Sequence, residues 1–302
     1  MFIIDSNAIE EVAKTMVSWP EERNWNSKCK DQRFRSLFGA SSGVAAHVWN
    51  RVMPSVNKRT HPKHLLWALV FLKVYSTEEV HCSIVGWPDV QTFRYWSWYY
   101  IARVAALKEE LIQLGFRFRG LEDGIANTNC FISVDGMDCV INEPYPFDTH
   151  WYSVKYNGPA LKYEIGVCIK TGHIVWINGP IPAGEMNDGQ LFRSKLTSEL
   201  CDDEAVEVDR GYHGDFKCKD PTTGYTSEVR KQKSNVRARH EIINGRIKIF
   251  NILNTHFRHC KPNSDEMMRK HQLCFHAIAA ITQLKFELGE TMYDVEYDQH
   301  YF

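Results

Sequence analysis

At Asn129 the hydrophobic pattern of this chain changes period, and that change limits the fold more than any other feature. Ahead of it, apolar residues recur at helical spacing. Behind it, they come in short runs bounded by turn residues. Cys130–Val134 is one such run and closes on Asp135, followed by Gly136, Met137 and Asp138. Lys162–Lys170 and His173–Asn178 are two more, divided by the turn pair Thr171-Gly172. Asn187 or Asp188 is placed to cap a helix to Leu200, with Phe192, Leu196 and Leu200 at helical spacing. Ala205–Val208 closes on Asp209, and after a loop with Pro221 and Gly224 comes a short strand-like run at Thr226–Arg230. Val236–Asn254 and Met267–Leu288 read as helices, the last one packing on the sheet. The pattern predicts an α/β domain over residues 126–302 and an all-α region over residues 1–125.

In the front region, Lys63–Tyr75 keeps a wide apolar stripe. Ser76 and Glu79 have capping-box spacing and start a shorter helix through Ile84. Gly86 supplies a turn, and Pro88 suits the first position of a longer helix to about Leu107. These are the proportions of a helix-turn-helix, and equally of any helical hairpin. The longer helix carries Gln91, Thr92, Arg94, Tyr95 and Arg103, with Arg94 the candidate DNA contact. Its rings (Phe93, Trp96, Trp98, Tyr99, Tyr100) read as core.

The chemistry gathers on three acids. Asp135 and Asp209 each end a strand-like run, and Glu241 lies in Val236–Asn254. On a helix, Arg237, Glu241, Asn244 and Lys248 fall within about 60° of one another. Ile242, Ile243, Ile247, Ile249, Phe250 and Leu253 cover the other side. The spacing alone is also that of an ordinary amphipathic surface helix. Three carboxylates at strand ends and on a helix face are what two divalent cations require, because Mg²⁺ takes hard oxygen ligands. Two ions about 4 Å apart activate a water or a 3′-hydroxyl and stabilise the leaving oxygen of a phosphodiester. His213 and His240 flank the second and third acids as packing or DNA-contact groups, with metal ligation or proton transfer as the alternative. No Gly-rich nucleotide loop and no G-x-S-x-G elbow occurs.

A formal net charge of −1 over 302 residues argues neither for nor against nucleic acid. Its distribution says more: Arg210–Lys261 holds 12 Lys/Arg against 4 Asp/Glu. Such an excess is a solvated basic face or a phosphate-backbone track. Nine cysteines include no C-x-x-C pair, so neither a zinc knuckle nor a redox motif is indicated, and free thiols are expected. No signal-peptide pattern opens the chain, and no run approaches the ~20 apolar residues of a membrane span. The expectation is an intracellular, soluble protein with no membrane association.

Together these residues resemble the DDE transposases, specifically the Harbinger-type elements and related bacterial insertion-sequence transposases. Val134-Asp135-Gly136 looks like the first-aspartate motif, and Asp209-Arg210-Gly211-Tyr212 like the second. Arg237, Glu241 and Lys248 fall on the arginine-x3-glutamate-x6-lysine signature, and Gly184–Phe192 resembles the intervening loop and helix. The match covers about Asn129–Gln283, with a less specific likeness in the front helices.

The resemblance implies an RNase H-like fold, a mixed sheet flanked by helices, with two Mg²⁺ or Mn²⁺ ions on Asp135, Asp209 and Glu241. The implied reaction is cutting at transposon ends followed by 3′-hydroxyl attack on target DNA. Arg237 and Lys248 would contact phosphates; Arg239 and Arg210, from the same basic stretch of sequence, are further candidate DNA contacts. Tyr212 would pack beside the second acid, with Asn244 and Asp188 in support. The implied partners are double-stranded DNA, a homodimer or larger assembly on it, and a separate Myb-like accessory protein. A nuclear location follows if the source is eukaryotic. The chain departs from the pattern at Ser234, where the signature has tyrosine, and at Met137-Asp138. Asp138 is therefore either a surface residue or a competing ligand. A domesticated relative that binds DNA or protein without cutting, and a nuclease acting on RNA–DNA hybrids, share parts of this pattern.

Overall fold

The computed structural model describes residues 3–19, 27–56, 60–120, 128–220, 226–260 and 264–297. Helices come first: α1 (Ser6–Val17), α2 (Ser27–Phe38), α3 (Ser42–Val52), α4 (Pro62–Val74), α5 (Glu78–Ile84), α6 (Val90–Ala106) and the single turn α7 (Lys108–Leu111). Then follow β1 (Cys130–Val140), β2 (Tyr152–Ser153), β3 (Gly158–Cys168), β4 (Ile174–Pro182), α8 (Asp188–Ser194), α9 (Leu196–Glu199), β5 (Ala205–Glu207) and β6 (Cys218–Lys219). The chain closes with α10 (Ser227–Lys248), α11 (Asn251–Asn254) and α12 (Asp265–Glu287).

The chain forms two compact units that are not consecutive segments. One comprises Met1–Leu111, Ile247–Thr255 and Leu273–Glu290; the other comprises Ile112–Arg246, His256–Gln272 and Thr291–Phe302. The division expected near residue 125 lies outside the described residues.

In the first unit α4 is the central helix. Every residue from His64 to Leu72 is buried, so its apolar run surrounds the helix rather than striping it. Two helix starts differ from the sequence reading by a residue or two. Thr77, not Ser76, caps α5 by accepting from Val80 N, while Ser76 gives its N–H to His81 Nε2. Asp89 caps α6 by accepting from Thr92 N, which leaves Pro88 ahead of the helix. In both places a side-chain oxygen satisfies an orphan N–H of the first turn, and this fixes the start.

The second unit is α/β, a mixed sheet flanked by helices. The strand order is β4-β3-β1-β5-β6, with β2 added to β3. β1 and β3 are antiparallel, as are β3 and β4, whereas β1–β5 and β5–β6 are parallel. Gly172, at φ +74°, turns the β3–β4 hairpin in the left-handed region open to glycine. Ile132, Val134, Val206 and Val208 meet Phe192, Leu196, Leu200 and Tyr212 in one core, so α8 and α9 cover that face.

Three elements depart from the sequence reading. β1 does not end at Asp135 but continues to Val140, because β3 supplies an antiparallel partner for every residue between. Thr226–Arg230 is not a strand: Thr226 Oγ1 accepts from Val229 N and starts α10, and Cys218–Lys219 provides the last strand instead. Only the start of α12 packs in the sheet-bearing unit, through His271 Nδ1 to Tyr163 OH at 2.7 Å and Gln272 Nε2 to Gly179 O at 3.0 Å. From Leu273 onward α12 belongs to the helical unit.

All nine cysteines are free. Among the described residues no helix is long and apolar enough to cross a membrane.

Candidate functional site

The strand register brings the first two acids together. In the parallel pairing of β1 and β5, Ser133 lies opposite Glu207. Asp135 and Asp209 each stand two residues further on. Side chains alternate across a strand, so both return to the face of Ser133 and Glu207. This is the face that α10 covers, and Asp135, Asp209, Arg237 and Glu241 line one cleft of about 330 Å³ with Ser133, Ser234 and His240.

Three ties fix α10 against the strands. The Lys233 ammonium lies 2.6 and 2.8 Å from the two Glu207 oxygens, a pair buried on both sides and joined by Tyr297 OH. Ser133 Oγ is 3.1 Å from His240 Nδ1, and Asn244 Nδ2 donates to Asp135 Oδ2 at 2.9 Å. Lys233, Arg237, His240/Glu241 and Asn244 are successive turns of one helical face. Glu241 is thereby carried to the cleft wall, exposed.

Burial raises the Asp135 carboxyl above its usual range, against the hydrogen bond from Asn244 and the charge of Lys155. Burial also raises Asp209, with further upward pushes from Asp135 and Asp188 and a downward pull from Arg237. Asp135 Oδ1 accepts from Gly136 N at 2.9 Å, and Asp209 Oδ1 from Gly211 N at 2.7 Å. The mutual repulsion and the hard oxygen donors are features that a divalent cation would relieve and use. In this respect the pair fits a metal. The third ligand is less complete. Among the described residues no group of three His, Cys, Asp or Glu side chains is close enough to hold an ion.

Asp188 has a part that the sequence reading did not give it. Asn187, not Asp188, caps α8, through a reciprocal pair with Gln190. The Asp188 carboxylate lies in the space left by the two motif glycines. A Cβ on Gly136 would stand 2.8 Å from its Oδ1, and a Cβ on Gly211 would stand 2.9 Å from its Oδ2. Lys162, on β3, pairs with it at 2.9 Å and also donates to Met186 O at 3.1 Å. The glycines that follow each aspartate thus make room for a third aspartate. Behind them, the wholly buried Glu164 accepts from Trp176 Nε1, and burial pushes its carboxyl up to about 7. Tyr212 is fully buried beside the second aspartate, and its hydroxyl has no hydrogen-bond partner among the described residues.

The remaining candidates are placed as follows. Arg239 is buried, donating to Ile169 O and Tyr293 O, so its guanidinium holds two chain segments rather than facing the cleft. Arg210 is exposed on the 3₁₀ turn after Asp209. Arg94 and Lys248 belong to the first unit, where Arg94 forms a two-pronged pair with Glu78. His213 is exposed and held by Asp220 at 2.9 Å. Asp138 is buried and accepts from Ser153 Oγ. It stands three positions after Asp135 on the same strand, so it points to the opposite face and is no competing ligand. Lys155, Lys162, Glu164 and Lys233 escaped the sequence reading. For Lys162 and Glu164 the one signal was the paired glycines, which imply a close neighbour without naming it.

No family model matches the sequence, and no curated protein or solved structure matches it.

Proposed function

We propose that the chain is a metal-dependent DNA nuclease and strand transferase of the DDE transposase type, with an RNase H-like catalytic unit. One observation carries the reading: Asp135 and Asp209 each stand two residues beyond the paired Ser133 and Glu207 of adjacent parallel strands, and they line one cleft with Glu241. When bound, two Mg²⁺ or Mn²⁺ ions supply Lewis-acid activation of the attacking and leaving oxygens of a phosphodiester. The chain's own groups do the positioning. Asn244 and Gly136 N orient Asp135, and Gly211 N orients Asp209. Arg237, whose charge acts on Asp209, is placed to meet a phosphate on the cleft side of α10. Arg210 extends that basic edge, and Lys248 is a further phosphate contact. In the first unit α5, the turn at Gly86 and α6 form the DNA-binding hairpin, in which Arg94 exchanges Glu78 for a phosphate. The substrates are double-stranded transposon ends and target DNA, engaged by a dimer or larger assembly, with a Myb-like protein as accessory partner.

The second reading is a transposase-derived DNA- or protein-binding factor without cleavage. It draws on the lack, among the described residues, of a third carboxylate within reach of one ion.

The deciding experiment is Mn²⁺-dependent nicking of supercoiled plasmid by the wild type and by Asp135→Ala, Asp209→Ala and Glu241→Ala. Nicking by the wild type and its loss in all three variants, with DNA binding retained, is the expected result. A wild type that binds DNA and never cuts it with any divalent metal establishes the second reading instead.

A further inference from the structure

The segment from Asn142 to Asn157 joins β1 to β3 and has no part in holding the acids, yet it is built. Pro144, Trp151 and Ser153 are buried along it. Ser153 Oγ donates to Asp138 Oδ2, and β2 pairs with β3 through Tyr152–Pro159 and Ser153–Gly158. Its backbone also packs onto Gly184. Gly184 N donates to His150 O at 3.0 Å, and a Cβ at Gly184 would stand 2.4 Å from Thr149 O. From this anchored segment large side chains are held out into solvent. Tyr145 is 97% exposed, Val154 88%, Phe147 51% and Tyr156 40%. Phe147 leans edge-on against Tyr152, at 6.4 Å between ring centres.

Burying the anchors while exposing the rings is the reverse of what core packing gives, and rings displayed this way mark a binding surface. Two facts select the occupant. First, β1 and β5 run parallel, so this segment leaves the same end of the sheet as the Asp209 turn. Second, Lys155, between Val154 and Tyr156, is near enough for its charge to act on Asp135. The exposed rings are thus spaced by polar residues and one cation beside the acids, not merged into a continuous apolar patch. Flat faces alternating with a cation suit a strand whose bases stack while its phosphates are met by charge.

We infer that the Asn142–Asn157 segment is a stacking platform for unpaired bases next to the scissile phosphate, with Tyr145 and Tyr156 as its principal rings and Lys155 as its phosphate contact. The inference rests on the nuclease reading, and it adds that the preferred substrate is frayed or single-stranded beside the cut.

The test compares metal-free binding, in EDTA, of a blunt duplex and of the same duplex carrying a short unpaired fork labelled with 2-aminopurine. The proteins are the wild type, Tyr145→Ala, Tyr156→Ala and, as a control outside both proposed DNA surfaces, Ile3→Ala, an exposed apolar residue ahead of α1. The wild type and Ile3→Ala should prefer the fork by about tenfold and quench the probe, and either tyrosine variant should lose most of that preference. Equal affinity for fork and duplex in the wild type overturns the platform. So does a wild-type dimer, formed without DNA, that Tyr145→Ala dissolves, since the rings then meet a second copy. Plasmid nicking by the wild type is scored separately. A protein that nicks but ignores the fork loses only the platform, and one that prefers the fork without nicking loses only the nuclease reading.

Discussion

Ser133 Oγ lies 3.1 Å from His240 Nδ1, so β1 holds α10 one residue ahead of Glu241. The imidazole is buried, its other nitrogen has no partner among the described residues, and burial holds it down to about 4. It therefore stays neutral in the folded protein at pH 7.

The sign of the resulting pH dependence follows. Between about pH 6.5 and 4 the unfolded chain protonates this residue and the folded chain does not. Stability is fully present above 6.5 and is lost as pH falls toward 4, by about 2 kcal/mol at pH 5 for one such group. His271, held at about 3, acts in the same direction. A His240→Asn variant, which keeps a partner for Ser133, should show a shallower fall of Tm between pH 7 and 5. An unchanged slope would show that His240 titrates normally.

Glu164 gives the opposite dependence. Its folded carboxyl sits at about 7 against 4.5, so folding binds a proton across that window and stability falls as pH rises through it. Above pH 7 the cost is about 3 kcal/mol. Glu164→Gln keeps an acceptor for Trp176 and removes the charge. Chemical denaturation at pH 8 should find the variant more stable than the wild type, with the two converging near pH 4.5.

Asn244 is expected to act through Asp135 alone. With its donated hydrogen bond removed by Asn244→Ala, the carboxylate is free to rotate, and Mn²⁺ affinity read by calorimetry should fall about 10- to 100-fold. The side chain is only half-buried, so Tm should move little. A large loss of Tm with unaltered Mn²⁺ affinity would make Asn244 a structural residue.

The two motif glycines should be coupled to Asp188. Gly136→Ala drives a methyl to 2.8 Å from the carboxylate, which costs about 1–3 kcal/mol as overpacking. Adding Asp188→Ala opens the space again. The double variant should then be more stable than the sum of the two single effects predicts, whereas strict additivity in urea denaturation would mean that Asp188 does not fill that space.

The sequence announced much of this arrangement for physical reasons that can be named. Period-two and apolar runs marked β3, β4 and β5, because alternation and β-branched composition are local properties. They misplaced the end of β1, since a strand continues as long as a partner continues, and β3 lies far along the chain. The Thr226–Arg230 run failed for a related reason: its composition suited a strand, and a single capping hydroxyl turned it into helix. Arg237, Glu241 and Asn244 were legible as one helical face. Arg239, two residues from Arg237, was grouped with the DNA contacts by charge alone, although its phase turns it toward the chain's interior. Lys162 and Glu164 left no local trace, because their role depends on what Gly136 omits.

The ties along α10 make the angular position of Glu241 a matter of counting. Lys233, His240 and Asn244 act like teeth engaged at three points on the strands. Adding or deleting one residue between Lys233 and Glu241 would turn the carboxylate by about 100° around the helix axis, away from both aspartates. Additions ahead of Lys233 leave that angle untouched. Chains sharing this architecture should therefore tolerate length variation before the helix and none inside the toothed span.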